Sequence, residues 1–504
     1  MNIFPHSDTY YQVYIPINTS TLPIQIHPYL LMDAGYVAYI FFCFFGIGLF
    51  VHGLAVSCAG LTSSRSSLSQ SAYSILAAAL CTLQVYFIGY SLECSQYQWF
   101  ASPFVGYLDN FMLFNLDLTD PLVVGSVILR TGFSLVPCCL LASAACQRGR
   151  MVPLLSFLFL WLCLVYCPVA RWCWQPSGWS YKLGVLDYAG GTIIHISAGC
   201  AALVYSHILG PRFNYGQHEN EPPFSLTMVI QGTTLMWLGW IGFTGGSQIS
   251  DPADALHSVL NTCLSAAMGG FSWLIVDWCA YTSPTETTPV NLTSATLPTT
   301  ISGWDSPART VQESLQRPQS ADSHTLSIVG FCSGVVSGLV AITPAAGYVH
   351  TWSAPLIGAL GALGCNYATK LKFRIGVDDP LDVFAVHGVG GFIGTVLTGV
   401  FAAPRFRHGL ITQIALQIFS AVVVACYSFV VTYLLATSLN RVNSLRLRIT
   451  PEEEAYGLDL IETGESADTN QESRVRLPTD LNVGNDLPLL QNLPLSYGLY
   501  YENM

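Results

Sequence analysis

Two histidines occupy equivalent positions in two apolar segments of this 504-residue chain. "LDYAGGTIIHISAG" places His195 after an aspartate and glycines, and "LDVFAVHGVGG" places His387 in a similar run. Ionisable side chains inside membrane helices are costly and usually mark an ion pathway or a proton relay. Two imidazoles side by side, each with a pKa near neutrality, can share one proton without a full charge. The pattern therefore indicates proton handling in an apolar pathway.

Each histidine also has a simpler interpretation. A lone histidine in a membrane helix usually hydrogen-bonds to a neighbouring helix, and the aligned stretches "HISAGCAAL" and "HGVGGFIGT" are built from small residues common in such helices. The sequence similarity of these two stretches is therefore weak support for a repeat. The equivalent position of the two imidazoles is the stronger observation, and it favours a functional pair.

The composition predicts a polytopic membrane protein. The chain is 52% hydrophobic and 10% charged, with a mean hydropathy of +0.47, whereas soluble domains carry about 25% charged residues. The acidic residues behind the net charge of -11 lie mostly in loops and after Pro451, so they do not indicate a nucleic-acid partner. The sixteen cysteines show no CxxC motif and no metal-ligand spacing, which favours core filling and predicts neither metal nor cofactor.

Eleven helical spans of about 20 residues account for the apolar runs. We expect an all-α fold in which five spans repeat with inverted polarity and one further helix follows, with the working site near the midplane. His195 falls in the fifth span and His387 in the tenth. The spans lie near 33–61, 71–94, 120–147, 151–173, 187–210, 224–248, 254–281, 325–343, 353–371, 381–403 and 411–437.

The basic residues predict an extracellular N-terminus and a cytoplasmic C-terminus, because cytoplasmic loops are enriched in Lys and Arg. With this orientation the outer side receives four of the nineteen basic residues and Arg130 lies inside a span. The inner side receives fourteen, namely Arg65, Arg148, Arg150, Arg212, Arg309, Arg317, Lys370, Lys372, Arg374, Arg441, Arg446, Arg448, Arg474 and Arg476.

Three segments lie outside the predicted membrane domain or interrupt it. Residues 1–32 form an extracellular N-terminal segment, where "NTS" makes Asn18 a glycosylation candidate. The membrane domain covers 33–437 and contains a cytoplasmic linker, 281–323, that is rich in Thr, Ser and Pro. The cytoplasmic tail covers 438–504, and its opening "LRITPEEEAYGLDLIETGE" has enough Leu and Ile to dock on another surface before the tail becomes polar.

Four blocks identify a family resemblance. "LDYAGGTIIHISAGCAALVYSHILGPR", "WLGWIGFTGGS", "GVVSGLVAITPAAGYV" and "VDDPLDVFAVHGVGGFIGTVLTGVF" resemble the ammonium transporters of the Amt/Mep/Rh superfamily, particularly the fungal Mep type. The resemblance extends from about Asp33 to Gly464. It implies a homotrimer of eleven-helix protomers in the plasma membrane, each protomer with its own pore, and a tail segment that couples neighbouring protomers and is open to a cytoplasmic regulator.

The resemblance also implies roles for individual residues. His195 and His387 match the twin histidines of the pore, and Asp187 matches the aspartate that supports the outer cation site. Trp174 and Ser247 match the recruitment site for ammonium, and Phe133 and Phe243 match its aromatic rings and gate. Asp379 and Asp382 match the "DDxxDVF" pattern before the second histidine.

Most of these residues have structural alternatives. Trp174 lies near the end of its span, where aromatic belts are common, and Asp187 is a plausible helix N-cap, a role compatible with supporting a cation. Without the resemblance, Phe133 and Phe243 would be interpreted as ordinary packing. A structural role that caps the tenth span is favoured for Asp379 and Asp382.

The third span departs from the family pattern. In "SVILRTGFSLV", Leu129 stands where the family has a gate phenylalanine, and Arg130 stands where it has a glutamine. A buried arginine costs about 2.5–3.5 kcal/mol on insertion scales unless it is paired, and Glu93 in "GYSLEC" is a candidate partner. An arginine near the recruitment site would repel ammonium. These changes indicate a divergent member of the family.

The leading hypothesis is transport that recruits ammonium at an outer aromatic site, removes a proton and conducts ammonia past the histidines. An ammonium sensor with little transport is the alternative, motivated by Leu129, Arg130 and the linker. A neutral-gas conduit of the Rh type is disfavoured by Trp174 with Ser247, because a cation site would then be superfluous. The sequence shows no nucleophile motif and no metal-ligand spacing, so it does not predict an enzyme. The residues do not decide between electrogenic and neutral transport.

Overall fold

The computed structural model describes residues 11–14, 23–26, 28–213, 215, 223–247, 252–282 and 326–467. The predicted all-helical membrane body is confirmed, and two short antiparallel strands, β1 (Tyr11–Tyr14) and β2 (Pro23–Ile26), precede it. The glycosylation candidate Asn18 and most of the predicted linker, 283–323, lie outside the described residues.

The first half of the membrane body contains helices that are extended by π-helical turns. Its elements are α1 (Pro28–Leu61), α2 (Ser67–Gln84) with a π turn (Val85–Gly89) and α3 (Tyr90–Cys94), α4 (Pro121–Ser143), α5 (Met151–Trp161) with a π turn (Leu162–Tyr166) and α6 (Cys167–Trp174), the short α7 (Trp179–Lys182), and a π turn (Gly191–Ile196) leading into α8 (Ser197–Leu209).

The second half continues in the same style and ends in two short helices. Its elements are α9 (Leu226–Gly245), α10 (Pro252–Thr282), α11 (Ile328–Ile342), α12 (Ala354–Ala368), α13 (Leu371–Ile375), a π turn (Phe384–Val389) leading into α14 (Gly390–Phe401), α15 (Leu410–Asn440), α16 (Pro451–Tyr456) and α17 (Leu458–Glu462). Single 3₁₀ turns occupy Leu108–Leu113, Thr351–Ser353, Pro404–Phe406 and Asn443–Leu445.

Nine helical stretches of the described chain are long and apolar enough to cross a membrane. The helices α11 and α12, with 15 residues each, lie where the eighth and ninth spans are predicted. At 1.5 Å per residue each is about 22 Å long, somewhat less than the hydrocarbon thickness of about 30 Å. The arrangement is consistent with eleven spans. The fifth span begins at Gly191 rather than near 187, because Asp187 lies before the helix and caps it.

Small residues allow the helices to approach closely. A methyl group added at Gly46 of α1 would lie 2.7 Å from the Gly242 Cα of α9, and one added at Gly60 would lie 2.8 Å from the side chain of Met228. Such seams of glycine are typical of membrane helix contacts, where backbones rather than long side chains meet. The seam fixes α9, which carries several aromatic residues of the site described below, against α1.

A buried ionic cluster fastens the loop before the second histidine turn. Asp378 accepts hydrogen bonds from Arg212 Nε (2.8 Å) and Nη2 (3.0 Å), and its backbone carbonyl accepts one from Arg148 Nη2 (2.7 Å). Burial raises the pKa of Asp378, but the hydrogen bonds from Arg212 and the charge of Arg148 more than offset this effect, so its pKa lies below the ordinary value. The carboxylate therefore stays ionised. The predictions named Asp379 and Asp382 but not Asp378.

The opening of the tail docks on the membrane domain, a surface that the sequence did not specify. Asp459 accepts hydrogen bonds from the backbone N–H groups of Leu68 (3.2 Å) and Ser69 (2.7 Å) at the beginning of α2. Glu462 accepts one from the Met151 N–H (2.8 Å) at the beginning of α5. Because the first N–H groups of a helix have no partner within the helix, the tail carboxylates act as external caps for two membrane helices.

Candidate functional site

The two histidines meet in the core, each in a π-helical turn. His195 lies in Gly191–Ile196 and His387 in Phe384–Val389. Their Nδ1 atoms are 3.2 Å apart, their ring centroids are 5.3 Å apart, and the ring planes differ by 25°. Both side chains are buried, with exposed fractions of 0% and 6%. A π turn inside an α-helix shifts side-chain direction and often occurs at functional sites. The sequence did not predict these turns.

Two glycines make the close approach of the histidine turns feasible. Gly199 lies four residues after His195, and a methyl group there would overlap the backbone of Gly388. Gly391 lies four residues after His387, and a methyl group there would lie 2.9 Å from the His195 Cβ. Each glycine thus leaves room for the turn that carries the other histidine, which gives the pair an internal symmetry.

The contact between the two Nδ1 atoms fixes complementary roles for the rings. One Nδ1 must donate and the other must accept, so in the neutral pair one Nε2 carries a hydrogen and the other Nε2 has a free lone pair. Within the described part of the chain, His195 Nε2 is buried and has no hydrogen-bond partner. A small molecule that both donates and accepts hydrogen bonds fits such a pair.

An indole packs against the first histidine. The Trp240 ring is stacked on His195 with centroids 5.3 Å apart and planes within 16°. Its position is fixed by a hydrogen bond from Nε1 to Thr343 Oγ1 (3.0 Å) and by Phe50, whose ring centroid is 4.4 Å away. Trp240 therefore covers one face of His195 with apolar surface. None of the three was predicted as a site residue, although Trp240 lies in the quoted block "WLGWIGFTGGS".

The predicted aromatic residues continue this wall as a column. Phe243 meets Trp240 edge-on at 5.8 Å, and Phe133 meets Phe243 at 5.6 Å. The Trp174 ring follows, 5.3 Å from Phe133. We call this series of rings, Trp174, Phe133, Phe243, Phe50 and Trp240, the aromatic column. It leads from the end of α6 to His195, and the contacts among Trp174, Phe133, Phe243 and Trp240 lie in the range of favourable aromatic contact.

Asp187 links the two ends of the column. Its carboxylate accepts hydrogen bonds from the backbone N–H groups of Gly190 (2.8 Å), Gly191 (2.7 Å) and Thr192 (2.8 Å), and from the Thr192 hydroxyl. The predicted capping role is confirmed. Its backbone carbonyl accepts from Trp174 Nε1 (3.0 Å). One residue therefore orients the Trp174 indole and caps the turn that carries the first histidine.

The remaining predicted residues lie at both ends of the site. Ser247 follows Phe243 by one turn and donates to its carbonyl (3.1 Å), and Leu129 is buried in α4. Asp379 caps the second histidine turn through the Phe384 N–H (2.9 Å). The predicted cap by Asp382 is not formed by its carboxylate, which instead pairs with Lys372 Nζ at 2.8 Å.

Arg130 does reach the end of the column at Trp174. Its guanidinium carbon lies 5.2 Å from the centroid of the Trp174 ring. The predicted pairing with Glu93 is confirmed, since the two side chains form a close ion pair. The sequence indicated the partner but not the contact with the indole, because no local spacing relates α4 to α6.

A cavity of about 70 Å³ begins at the other side of the histidine pair. His387 lies in its wall, together with Leu54, Leu140, Met236 and Val386. Residues at the ends of several helices, Leu61, Ser143, Val229 and Val329, line it further out. The lining is mostly apolar with a few hydroxyl groups. Among the described residues, no group of three or more His, Cys, Asp or Glu side chains is arranged to hold a metal ion.

Comparisons with known proteins agree with this geometry. The profile described as "Ammonium Transporter Family" matches residues 38–300 and 318–468. Ammonium transporter 1 of Schizosaccharomyces pombe is 37% identical over 450 residues, covering 85% of this chain and 80% of that protein. The crystal structure of Saccharomyces cerevisiae Mep2 superposes with a TM-score of 0.70 at 33% identity, covering 83% of this chain and 91% of that one.

A further solved structure has a name that refers to sensing rather than to transport. A structure named "Sensor Amt Protein" superposes with a TM-score of 0.72, covers 86% of this chain, and is 23% identical. At this identity the similarity shows the shared fold alone. It does not favour a sensor over a transporter, whereas the Schizosaccharomyces pombe relative at 37% identity is named an ammonium transporter.

Proposed function

The chain belongs to the ammonium transporter family and carries ammonium across a membrane, and from this premise we propose that it moves the substrate as ammonia through the aromatic column and past the paired histidines. The observation that carries the proposal is the buried contact of 3.2 Å between His195 Nδ1 and His387 Nδ1. This pair lies between an apolar aromatic wall and an apolar cavity. It therefore offers hydrogen bonds in surroundings that are mostly apolar.

The energetics favour ammonia over ammonium as the species in the column. Moving an intact unit cation into an apolar interior costs tens of kcal/mol in the Born limit. Removing a proton from an alkylammonium group at pH 7, with lysine as the reference, costs only about 4–5 kcal/mol. Removing the proton before the rings of Phe133 and Phe243 is thus the cheaper route, and the histidine pair offers the stripped proton a separate path.

We assign recruitment to the outer end of the column. A cation over an aromatic face gains about 2 kcal/mol when desolvated, and tryptophan is the best ring for this contact. Trp174 supplies the face, the Ser247 hydroxyl supplies an acceptor, and Asp187 orients the indole through its backbone carbonyl. A dedicated cation site argues against a conduit for neutral gas.

The proposed orientation places the N-terminus outside and the tail inside. Arg65 donates to the Ala455 carbonyl of the tail (2.7 Å), and Arg448 pairs with Glu454 (2.9 Å), so basic residues gather at the end of the molecule where the tail docks. This agrees with the enrichment of Lys and Arg on the cytoplasmic side. We propose a homotrimer in the plasma membrane, with the domain limits and the tail regulator as predicted from the sequence.

The proposal is tested by uptake of labelled methylammonium and by ammonium-evoked current in cells that lack their own ammonium transporters. We expect saturable uptake by the wild type and a loss of at least about tenfold, or a changed current, in His195→Ala, because the variant removes one partner of the only imidazole pair in the described core. His207→Ala is the matched control, since His207 lies on the same helix but is exposed in the single chain.

The outcomes discriminate between the alternatives. Uptake without current would favour neutral conduction, and current that saturates with ammonium would favour recruitment of the cation. Wild-type protein at the cell surface without uptake would contradict transport and support the sensor alternative. Equal uptake by the wild type and His195→Ala would contradict the role assigned to the histidines.

A further inference from the structure

The guanidinium group of Arg130 occupies a face of the Trp174 ring. Its central carbon lies 5.2 Å from the ring centroid, within the range of about 6 Å for cation–π contact. We propose that Arg130 is a tethered cation, meaning a side chain that competes with ammonium for Trp174 and thereby sets the affinity of the outer site. The inference rests on the proposed function, because it assumes that Trp174 recruits ammonium.

Glu93 fixes the tethered cation in place. Its side chain is 3% exposed and pairs with Arg130, whose side chain is 22% exposed. The Glu93 carbonyl accepts a hydrogen bond from Arg171 Nη1 (2.9 Å), and the same guanidinium donates to the Ser95 (2.9 Å) and Ser102 (2.6 Å) carbonyls. These bonds hold the end of α3 in place. The Glu93 carboxylate therefore has a fixed position and keeps Arg130 over the Trp174 indole.

The ion pair determines what kind of effect to expect. Glu93 and Arg130 neutralise each other, so they add no net charge that would repel ammonium from a distance. The guanidinium nevertheless faces the ring, whose negative face is what attracts a cation. An entering ammonium ion must therefore displace Arg130 or bind a ring that is already partly neutralised. The expected effect is on the affinity for ammonium rather than on the maximal rate.

Two variants of this pair are expected to act in opposite directions. Arg130→Gln frees the ring and should lower the KM for methylammonium about three- to tenfold, with the maximal rate within about twofold. Glu93→Gln leaves an unpaired positive charge beside the ring and should raise the KM by about threefold or more. The double variant should lose the increase caused by Glu93→Gln. A pair with a merely structural role would give losses in the same direction for both single variants.

The measurement is concentration-dependent uptake of methylammonium in cells that lack their own transporters, normalised to the amount of protein at the surface. Arg405→Gln is the matched control, because it removes the same charge from another ion pair, with Asp254 at 2.8 Å. Arg405 is 62% exposed and lies on the outer side in the proposed orientation. The control variant should keep the wild-type KM within about twofold.

Guanidinium ion provides an independent probe of the same ring. Added outside at millimolar concentration, it is a free form of the group that Arg130→Gln removes. It should inhibit uptake by Arg130→Gln competitively, and it should change the wild-type KM by less than about twofold because the ring is already occupied. Equal inhibition of both proteins would contradict the tethered cation.

The remaining outcomes separate the inference from the function on which it rests. An unchanged or higher KM in Arg130→Gln would overturn the inference while transport stands. If this variant does not reach the surface, Arg130→Lys serves in its place, because it keeps the charge but lacks the planar group. Arg130→Lys should lower the KM by a smaller factor. An unchanged or higher KM in Arg130→Lys would also overturn the inference. A silent wild type beside an active Arg130→Gln would contradict an effect confined to affinity, whereas silence of both at the surface would contradict both proposals.

Discussion

Asp187 shows how one residue serves two parts of the site. Its carboxylate satisfies three backbone N–H groups and a hydroxyl at the beginning of the first histidine turn, while its backbone carbonyl accepts a hydrogen bond from the Trp174 indole. An asparagine has the same shape but presents N–H donors on one side. At least one of the backbone N–H groups would then face a donor and lose its acceptor.

We therefore expect Asp187→Asn to destabilise the protein by about 1–3 kcal/mol, the cost of a buried group without a partner, and to reduce methylammonium uptake. Thermal unfolding of the purified protein in detergent measures the first effect. Asp120→Asn is the control, because Asp120 caps the exposed beginning of α4 through Leu122 N (2.8 Å), where asparagine caps equally well. Equal unfolding temperatures for Asp187→Asn and the wild type would contradict the role of the carboxylate.

At the residue scale, the sequence predicted which residues belong to the site better than it predicted the contacts between them. The doubled histidine and the capping by Asp187 follow from residue types and their spacing along the chain, and Glu93 was a candidate partner of Arg130 because of its charge and its place near the edge of the second span. The contact of Arg130 with Trp174 and the stack of Trp240 on His195 join residues from separate helices. These contacts depend on how the helices pack against one another, and the hydrophobic periodicity of a single segment does not predict that packing.

At the scale of elements, the all-helical character and the order of the apolar segments were predictable, but the irregularities of the helices were not. Hydropathy and length locate apolar spans, because a bilayer requires about 20 residues per crossing. The π turns around both histidines insert one residue without changing hydropathy or composition. The glycines Gly199 and Gly391 were visible in the sequence, yet their meaning depends on which backbone lies opposite.

The loop between α13 and the second histidine turn depends on the cluster around Asp378. Replacement by asparagine leaves Arg148, which is 0% exposed, without its nearby carboxylate. We expect Asp378→Asn to lower the free energy of unfolding by about 3 kcal/mol or more. Asp254→Asn, which disrupts an ion pair with the exposed Arg405, should cost less than about 1 kcal/mol.

This difference should depend on pH in a defined direction. The native pKa of Asp378 is lowered, so its contribution is fully present above the ordinary value of about 4 and is lost as the pH falls through the lower native value. The gap in unfolding free energy between the wild type and Asp378→Asn should therefore be constant from about pH 5 to pH 8 and shrink below about pH 4. A gap that widens on acidification would contradict this assignment.

At the scale of the whole molecule, the tail is joined to several membrane helices at one end. Asp459 caps α2 and Glu462 caps α5, while Glu454 accepts from the Phe213 N–H (2.7 Å) beyond α8. The ends of neighbouring helices also line the cavity below His387. The composition of the tail predicted that it would dock, but the identity of its partners depended on the assembled fold.

Truncation after Thr450 should therefore lower uptake several-fold while the proposed trimer remains intact. Each lost cap is worth about 1 kcal/mol, so the helix ends around the cavity should loosen without unfolding the membrane core. Uptake per surface protein and the mass of the detergent-solubilised complex measure the two effects. Truncation after Ala467 is the control, because it keeps every tail contact described above. Unchanged uptake after Thr450 would show that these caps do not influence the pore, and dissociation would assign the tail to assembly instead.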